Sequence, residues 1–305
     1  MKVFDLSIIG HFSIDSIILP KRQKPYTILG GSVVYASLTA KSLDAKVSVI
    51  SKVGEDFPKA YLWWLDQEGI DLSGVTICSG AKTTRFELKY AENLTDRTLK
   101  LISMGAPITK EDLPKSLQAR VIYLTPIAHE ISYGTAEKAR ECAEVLSLDP
   151  QGLIRCFDEN GTVTYDSPMD KRILELIDIY KSSLGEILAI TGMSELKSAI
   201  RTIHNFGVKT VIVTLGAQGS VLSIEGTIYE IPAYKSEKVV DPTGAGDAFM
   251  GGFLAEYLQG RDFFWCACVG SAVASKTVEA LGPIFPCDKA EIYQRARTLY
   301  EEGSK

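Results

Sequence analysis

With 305 residues, 46% of them apolar and 23% charged, the chain can bury one large core, or a core and a small appendage, and falls outside the disordered and fibrous classes. Its formal net charge of −5 argues against a general attraction to nucleic-acid backbones or anionic lipid. No stretch reaches the ~20 apolar residues of a membrane span, and the start, broken by Asp5, His11 and Asp15, does not read as a secretory signal. The cytoplasm is the expected location, with neither membrane nor nucleic acid as partner.

VFDLSIIG and FSIDSIIL read as two strands with a bend near Gly10. Gly30-Gly31 opens SVVYASLTAKSLDA, spaced as a helix leading into the strand KVSVISKVG. FPKAYLWWLDQEGI repeats the helical pattern, with Trp63 and Trp64 as partly buried packing, and GVTICSG follows as a strand. Residues 82–103 break the rhythm: TTRFELKYA and RTLKLISM around ENLTD predict a β-hairpin rich in polar positions. Together with extended stretches at 13–19 and 24–29 it predicts a small projecting sheet, so that 13–29 and 82–103 form a discontinuous β-lid and 1–12, 30–81 and 104–305 the core.

After this the alternation returns. RVIYLTPI, EVLSLDP and IDIYKSS predict core strands, with helices near 129–144, 168–176 and 184–205. VKTVIVTLGAQGSVLSIEGTIYEIPAY predicts successive strands and tight turns, and helices near 244–258, 262–279 and 287–301 complete the chain. Buried β-branched strands alternating with amphipathic helices predict an open α/β sheet covered on both faces. Cys78, Cys142, Cys156, Cys266, Cys268 and Cys287 form no CxxC pair and are expected to be reduced and mostly buried. His11, His129 and His204 lack the short spacing of a zinc site.

The most informative stretch is VVDPTGAGDAFMGG, a tight turn running into a mostly apolar helix. The first amides of a helix point outward with partial positive charge and receive anions, and Gly244, Ala245 and Gly246 leave that mouth open. Asp247 either caps the helix or takes a proton from an alcohol attacking a bound phosphoryl group; the local pattern leaves both open. This region resembles the second signature of the PfkB, or ribokinase-like, carbohydrate kinase family, a DxTGAGD turn before a small-residue helix, here Asp241-Pro242-Thr243-Gly244-Ala245-Gly246-Asp247. The early Gly30-Gly31 helix, SKVGEDF, VIVTLGAQGSVL and the C-terminal small-residue helix extend the resemblance over essentially the whole chain.

The resemblance implies a three-layer α/β/α sandwich with a small β-sheet lid, and ATP-dependent phosphorylation of a small-molecule alcohol. Asp247 would be the base, and the amides from Gly244 to Asp247 the anion hole. It implies ATP and Mg2+, with K+ as an optional further ion, and in several members a homodimer through the lid. Thr214, Gly216 and Gly219 would border the nucleotide, although alone they read as a β-turn. In YKSSLGE, Ser183 stands where the family has asparagine and Glu186 is retained; the resemblance gives Ser183 to the nucleotide and Glu186 to the metal, while the residues alone read as a capping box. Asp149 and Gln151, in LDPQG, are either a turn or part of the phosphate and magnesium region. Asp15, Gly30 and Gly31 match acceptor-binding positions, though Asp15 alone would also suit a solvent-facing edge. Arg85 either reaches the substrate or stays solvated.

Tyr35 and Ser32 depart from the asparagine and lysine of ribokinases proper, which speaks against ribose. With the GHxSxD-like start and DPQG, the pattern is closest to inositol-kinase-like members, so a cyclic polyol is expected within a broader sugar or nucleoside class. Nucleoside kinase and hexose or ketose kinase are the alternatives, and a non-catalytic ligand-binding regulator is the reading outside enzymes.

Overall fold

The computed structural model describes residues 4–20, 22, 24–94, 96–166, 169–236, 238–283 and 288–303. Cys287 and the ends of two expected helices, at 168 and 287, lie outside the described residues. The strands are β1 (Phe4–Ile9), β2 (Ser13–Ile18), β3 (Tyr26–Gly30), β4 (Val47–Gly54), β5 (Asp71–Cys78), β6 (Thr84–Tyr90), β7 (Arg97–Ser103), β8 (Ala119–Leu124), β9 (Ala143–Leu148), β10 (Arg155–Phe157), β11 (Val163–Tyr165), β12 (Ile179–Ser183), β13 (Thr210–Thr214), β14 (Ser220–Ile224) and β15 (Thr227–Ile231). Between and after them run α1 (Ser32–Ser42), α2 (Lys59–Gln67), α3 (Tyr133–Arg140), α4 (Gln151–Ile154), α5 (Leu184–Thr191), α6 (Leu196–His204), α7 (Ala245–Leu258), α8 (Phe263–Thr277) and α9 (Lys289–Gly303).

Nine strands form one sheet in the order β15-β14-β13-β12-β9-β8-β1-β4-β5. From β13 to β5 neighbours are parallel, while β14 and β15 add an antiparallel edge. Successive side chains leave a strand on opposite faces, so a strand buried on both sides feeds two cores. In β8, Val121 and Tyr123 join the core under α1, α7, α8 and α9, whereas Ile122 and Leu124 join the one under α3, α5 and α6. This is the expected three-layer α/β/α arrangement.

A second sheet, β3-β2-β6-β7, stands apart from the main one. Its two sequence-distant pieces meet where β2 runs parallel to β6, with Asp15 beside Phe86. Ile17, Phe86, Leu88, Tyr90 and Leu99 form its inner face and close on Ile127 and Ala128 of the body.

Several local expectations need correction. The helix expected at 184–205 is two, because Gly192 ends α5 in the left-handed region at φ 69°. The helix expected at 129–144 is confined to α3, with β9 following directly, and the β10–β11 hairpin was not anticipated. Trp63 is 67% exposed rather than packed. Of the five described cysteines, all free, only Cys266 and Cys268 are buried.

Candidate active site

The parallel strands β9, β12 and β13 end side by side at Leu148, Ser183 and Thr214, so Asp149, Ser183 and the turn after Thr214 share one edge of the sheet. Such an edge, where helix N-termini and loops converge, is where open α/β sheets bind ligands. Facing it is the mouth of α7. Gly244 holds the N-cap position at φ 76°, and a Cβ there would run into the Tyr35 ring, so glycine is required both by backbone and by space. Ala245 donates to the Pro242 carbonyl at 3.3 Å, while the amides of Gly246 and Asp247 meet no acceptor among the described residues. The turn is carried by close helix packing: Gly251 brings α7 so near α1 that a Cβ would press on the Ala36 backbone. Tyr35 and Ser32 on α1 thereby sit beside Gly244 and Asp247.

Asp247 Oδ1 accepts from Gln151 Nε2 at 3.1 Å, and the same amide nitrogen donates to Ser32 Oγ at 2.8 Å. Asp247 Oδ2 has no donor among the described residues. Gln151 is itself oriented by Arg155, whose guanidinium donates to Gln151 Oε1 at 2.6 Å and to the Ile127 carbonyl at 2.8 Å. Beside the helix mouth lies a buried ion pair, Lys181 to Asp149 at 2.6 Å, both nearly inaccessible. A Cβ on Gly246 would stand 3.0 Å from Lys181 Nζ, so the ammonium borders the open amides directly. Burial by itself would lower the Lys181 pKa, but Asp149, Asp247 and Glu186 outweigh it and hold the group above its ordinary value. Burial, with Glu186 and Asp247 nearby, pushes the Asp149 carboxyl above its ordinary range against the pull of Lys181, and Asp149 Oδ1 accepts the backbone N–H of Gln151 at 3.1 Å.

Ser183 and Glu186 form a reciprocal capping box on α5, Ser183 N to Glu186 Oε2 at 2.7 Å and Glu186 N to Ser183 Oγ at 3.4 Å. Among the described residues no group of three or more His, Cys, Asp or Glu side chains is placed to hold a metal ion. Asp149 and Glu186 are carboxylates already engaged by Lys181 and by the Ser183 amide. They suit a hard ion held largely by water and phosphate oxygens, and do not make an all-protein cage. Gly216 and Gly219, at φ 59° and 98°, shape an exposed turn after Thr214, whose hydroxyl points back to the Ser182 carbonyl at 3.4 Å.

On the other side of Asp247 a pocket opens beneath the lid, lined by Asp15, Tyr35, Arg97, Gln151, Arg155 and Asp247, with Phe86, Leu88, Leu99 and Ile127 as an apolar wall. Among the described residues, the buried Tyr35 OH and Arg155 Nε that line it have no hydrogen-bond partner, while the Ser13 hydroxyl and the Asp15 carboxyl interact with one another. Buried polar groups are seldom left unpaired, and those that line a pocket are available to a polar ligand. Burial raises the Asp15 carboxyl to about 6, against the pull of Ser13, Arg155 and Arg97 and with a push from Asp247. Gly30 is demanded by Asp15, whose carboxylate occupies the volume a Cβ would need; Gly31, at φ 92°, lies against the His11 backbone.

The structure therefore gathers Asp15, Gly31, Tyr35, Gln151, Gly244 and Asp247 around one pocket, with Asp149, Lys181, Ser183 and Glu186 adjoining it. It does not bring Arg85 there. Arg85 alternates with Phe86 and leaves the opposite face of the lid, where it pairs with Asp56 at 3.0 Å and is neither substrate-facing nor simply solvated. Two residues absent from the expectations, Arg97 and Arg155, line it instead, and a third, Lys181, adjoins it. Arg155 is four residues beyond Gln151 and 4% exposed, Arg97 comes from β7, and Lys181 is the one charged residue of β12.

The pfkB family carbohydrate kinase description matches residues 5–290. Cytidine kinase of Thermococcus kodakarensis is 33% identical over 285 residues, covering 92% of this chain and 98% of the relative. Inositol 3-kinase of Arabidopsis thaliana is 28% identical over 284 residues, 90% of this chain and 74% of the relative. Among solved structures, a pyrophosphate-dependent kinase in the ribokinase family, complexed with a pyrophosphate analog and myo-inositol, superposes with a TM-score of 0.81 at 25% identity, covering 95% of this chain and 99% of the other. With its turn, sheet and lid in the family's arrangement, the chain belongs to the pfkB family of carbohydrate kinases and is a phosphotransferase acting on a hydroxyl group.

Proposed function

We propose that the protein transfers the terminal phosphoryl group of ATP to a hydroxyl of a nucleoside, in the cytoplasm. The observation that carries this reading is the placement of Asp247 between two unsatisfied surfaces, the open amides of α7 with the Lys181 ammonium on one side and the orphaned polar atoms of the lid pocket on the other. Phosphoryl transfer needs alignment and stabilised oxygens more than covalent help. Asp247, fixed through Oδ1 by Gln151, offers Oδ2 to the acceptor proton. Gly246 and Asp247 present N–H groups to the phosphoryl oxygens, and Lys181 adds a full positive charge in a water-poor site. Asp15 and Arg155 hold further hydroxyls of the acceptor. Magnesium, bound through water near Asp149 and Glu186, would neutralise phosphate charge. The turn at Gly216–Gly219 borders the nucleotide.

The apolar wall of Phe86, Leu88, Leu99 and Ile127 suits a flat base, and the polar floor suits a sugar, which, with the cytidine kinase relative, favours a nucleoside. A cyclic polyol is the second reading, favoured by the two arginines and two carboxylates around the same pocket and by the inositol kinase relative. Pairing of two lids belongs to this proposal through the outer face carrying Ile102, 55% exposed, because Gly161 already accepts a hydrogen bond from Leu101 of β7 at 2.7 Å. A panel of cytidine, uridine, adenosine, ribose and myo-inositol, assayed with ATP and magnesium and with products identified by mass spectrometry, tests the acceptor. A nucleoside monophosphate as the preferred product supports the first reading; a preference for myo-inositol replaces it with the second. No phosphorylated product from any acceptor contradicts both.

A further inference from the structure

The Asp241–Thr243 turn that feeds α7 is gripped by two lid tyrosines from different strands. Tyr26, on edge strand β3, donates its hydroxyl to Asp241 Oδ2 at 2.8 Å, and Tyr90, ending β6, meets Thr243 Oγ1 at 2.8 Å. Asp241 uses its other oxygen within the turn, Oδ1 accepting the Thr243 amide at 2.9 Å. One carboxylate, 1% exposed, thus holds the turn with one oxygen and the lid with the other. Arg97, which lines the acceptor pocket, donates to the Tyr90 hydroxyl at 3.0 Å, extending the chain of contacts from pocket to turn. Neither tyrosine is used by the transfer chemistry proposed above, and Phe in their place would satisfy the lid core equally well.

We propose that Tyr26 and Tyr90 are positioning residues that couple closure of the lid over the acceptor to the setting of the anion-hole turn. The inference rests on the proposed role of the Gly246 and Asp247 amides. With the lid raised, Asp241 Oδ2 and Thr243 Oγ1 lose their partners and the turn is anchored only by its own bonds and by the Val240 and Asp241 amides on the Val278 carbonyl. With the lid down, two further bonds, one to a charged group, fix the residues immediately before Gly244. The phosphoryl group then meets aligned amides when an acceptor is enclosed, which favours transfer to the acceptor over transfer to water.

The test uses Tyr26→Phe, Tyr90→Phe and the double variant of the full chain, which keep the rings and delete only the hydroxyls. Nucleotide Kd, kcat, acceptor KM, thermal midpoint, and ADP formed per phosphorylated product are measured with the best acceptor. Coupling predicts about a ten-fold fall in kcat for Tyr26→Phe with nucleotide Kd within two-fold of wild type, and ADP released in excess of product. A wild-type kcat, or a kcat loss matched by an equal rise in nucleotide Kd, overturns it. Asp247→Asn in the same assay separates the two claims. If Asp247→Asn is inactive while Tyr26→Phe is unchanged, only the coupling fails; if Asp247→Asn turns over normally, the underlying site reading fails.

Discussion

On the side proposed for the donor the cleft presents mainly backbone, the open amides of α7 and a turn of glycines after β13, beside a lysine locked to Asp149. On the side proposed for the acceptor it presents side chains from seven separate stretches of sequence, Tyr35 and Arg155 with buried polar atoms unpaired among the described residues. A phosphoryl group is the same whatever receives it, so a site for it is built from geometry that side-chain substitution barely changes. An acceptor varies, and side chains on a separate small sheet can be exchanged without disturbing the phosphate machinery.

That contrast is broken most severely at Lys181. Lys181→Met is expected to lower kcat about 100-fold and also to destabilise the fold by about 3 kcal/mol or more, because Asp149 is left as an unpaired buried charge. Adding Asp149→Asn separates the effects: thermal melting is restored, turnover is not. Recovery of both would make the pair purely structural.

Arg155→Ala attacks the acceptor side. Steady-state kinetics should show acceptor KM rising roughly 10- to 100-fold with little change in nucleotide KM, because the guanidinium both lines the pocket and orients Gln151. An equal change in both KM values would place Arg155 outside the acceptor site.

Asp15 sharpens the comparison through pH. Its carboxyl, raised from 3.8 to about 6, holds its proton more tightly folded than unfolded, so its ionisation costs stability that sets in as pH rises from about 4 to 6. Asp15→Asn removes that cost and should be more stable at pH 8, by on the order of 3 kcal/mol in the absence of ligand. In the wild type, acceptor KM should rise as pH falls through about 6; in Asp15→Asn it should be higher and flat. The smallest effect belongs to Arg85→Ala, within two-fold in every kinetic constant, since Arg85 and Asp56 pair on the outer face at partial exposure.

The same division governs how much the sequence discloses. Gly244, Ala245, Gly246 and Asp247 are consecutive, so a short pattern carries the proposed donor site, and alternating strands and helices carry the sheet. Asp15 was legible because a carboxylate in an apolar strand is conspicuous. Arg97 and Arg155 were not, because a surface arginine and a pocket arginine look alike until β2 pairs with β6 and the lid folds over α4. Arg85 misled for the same reason: the alternation of β6 was legible, but which face meets the body is decided by long-range packing. Glu186 illustrates a further limit, since its capping box fulfils the local pattern without excluding a role toward water-held magnesium.

The central claim is that Asp247 takes the acceptor proton at the mouth of α7. Asp247→Asn, compared with wild type for nucleotide Kd by calorimetry and for turnover by product formation, tests it most directly. A kcat at least 100-fold lower is expected, with nucleotide affinity within about three-fold. Turnover at the wild-type rate, with the acceptor bound normally, would contradict it.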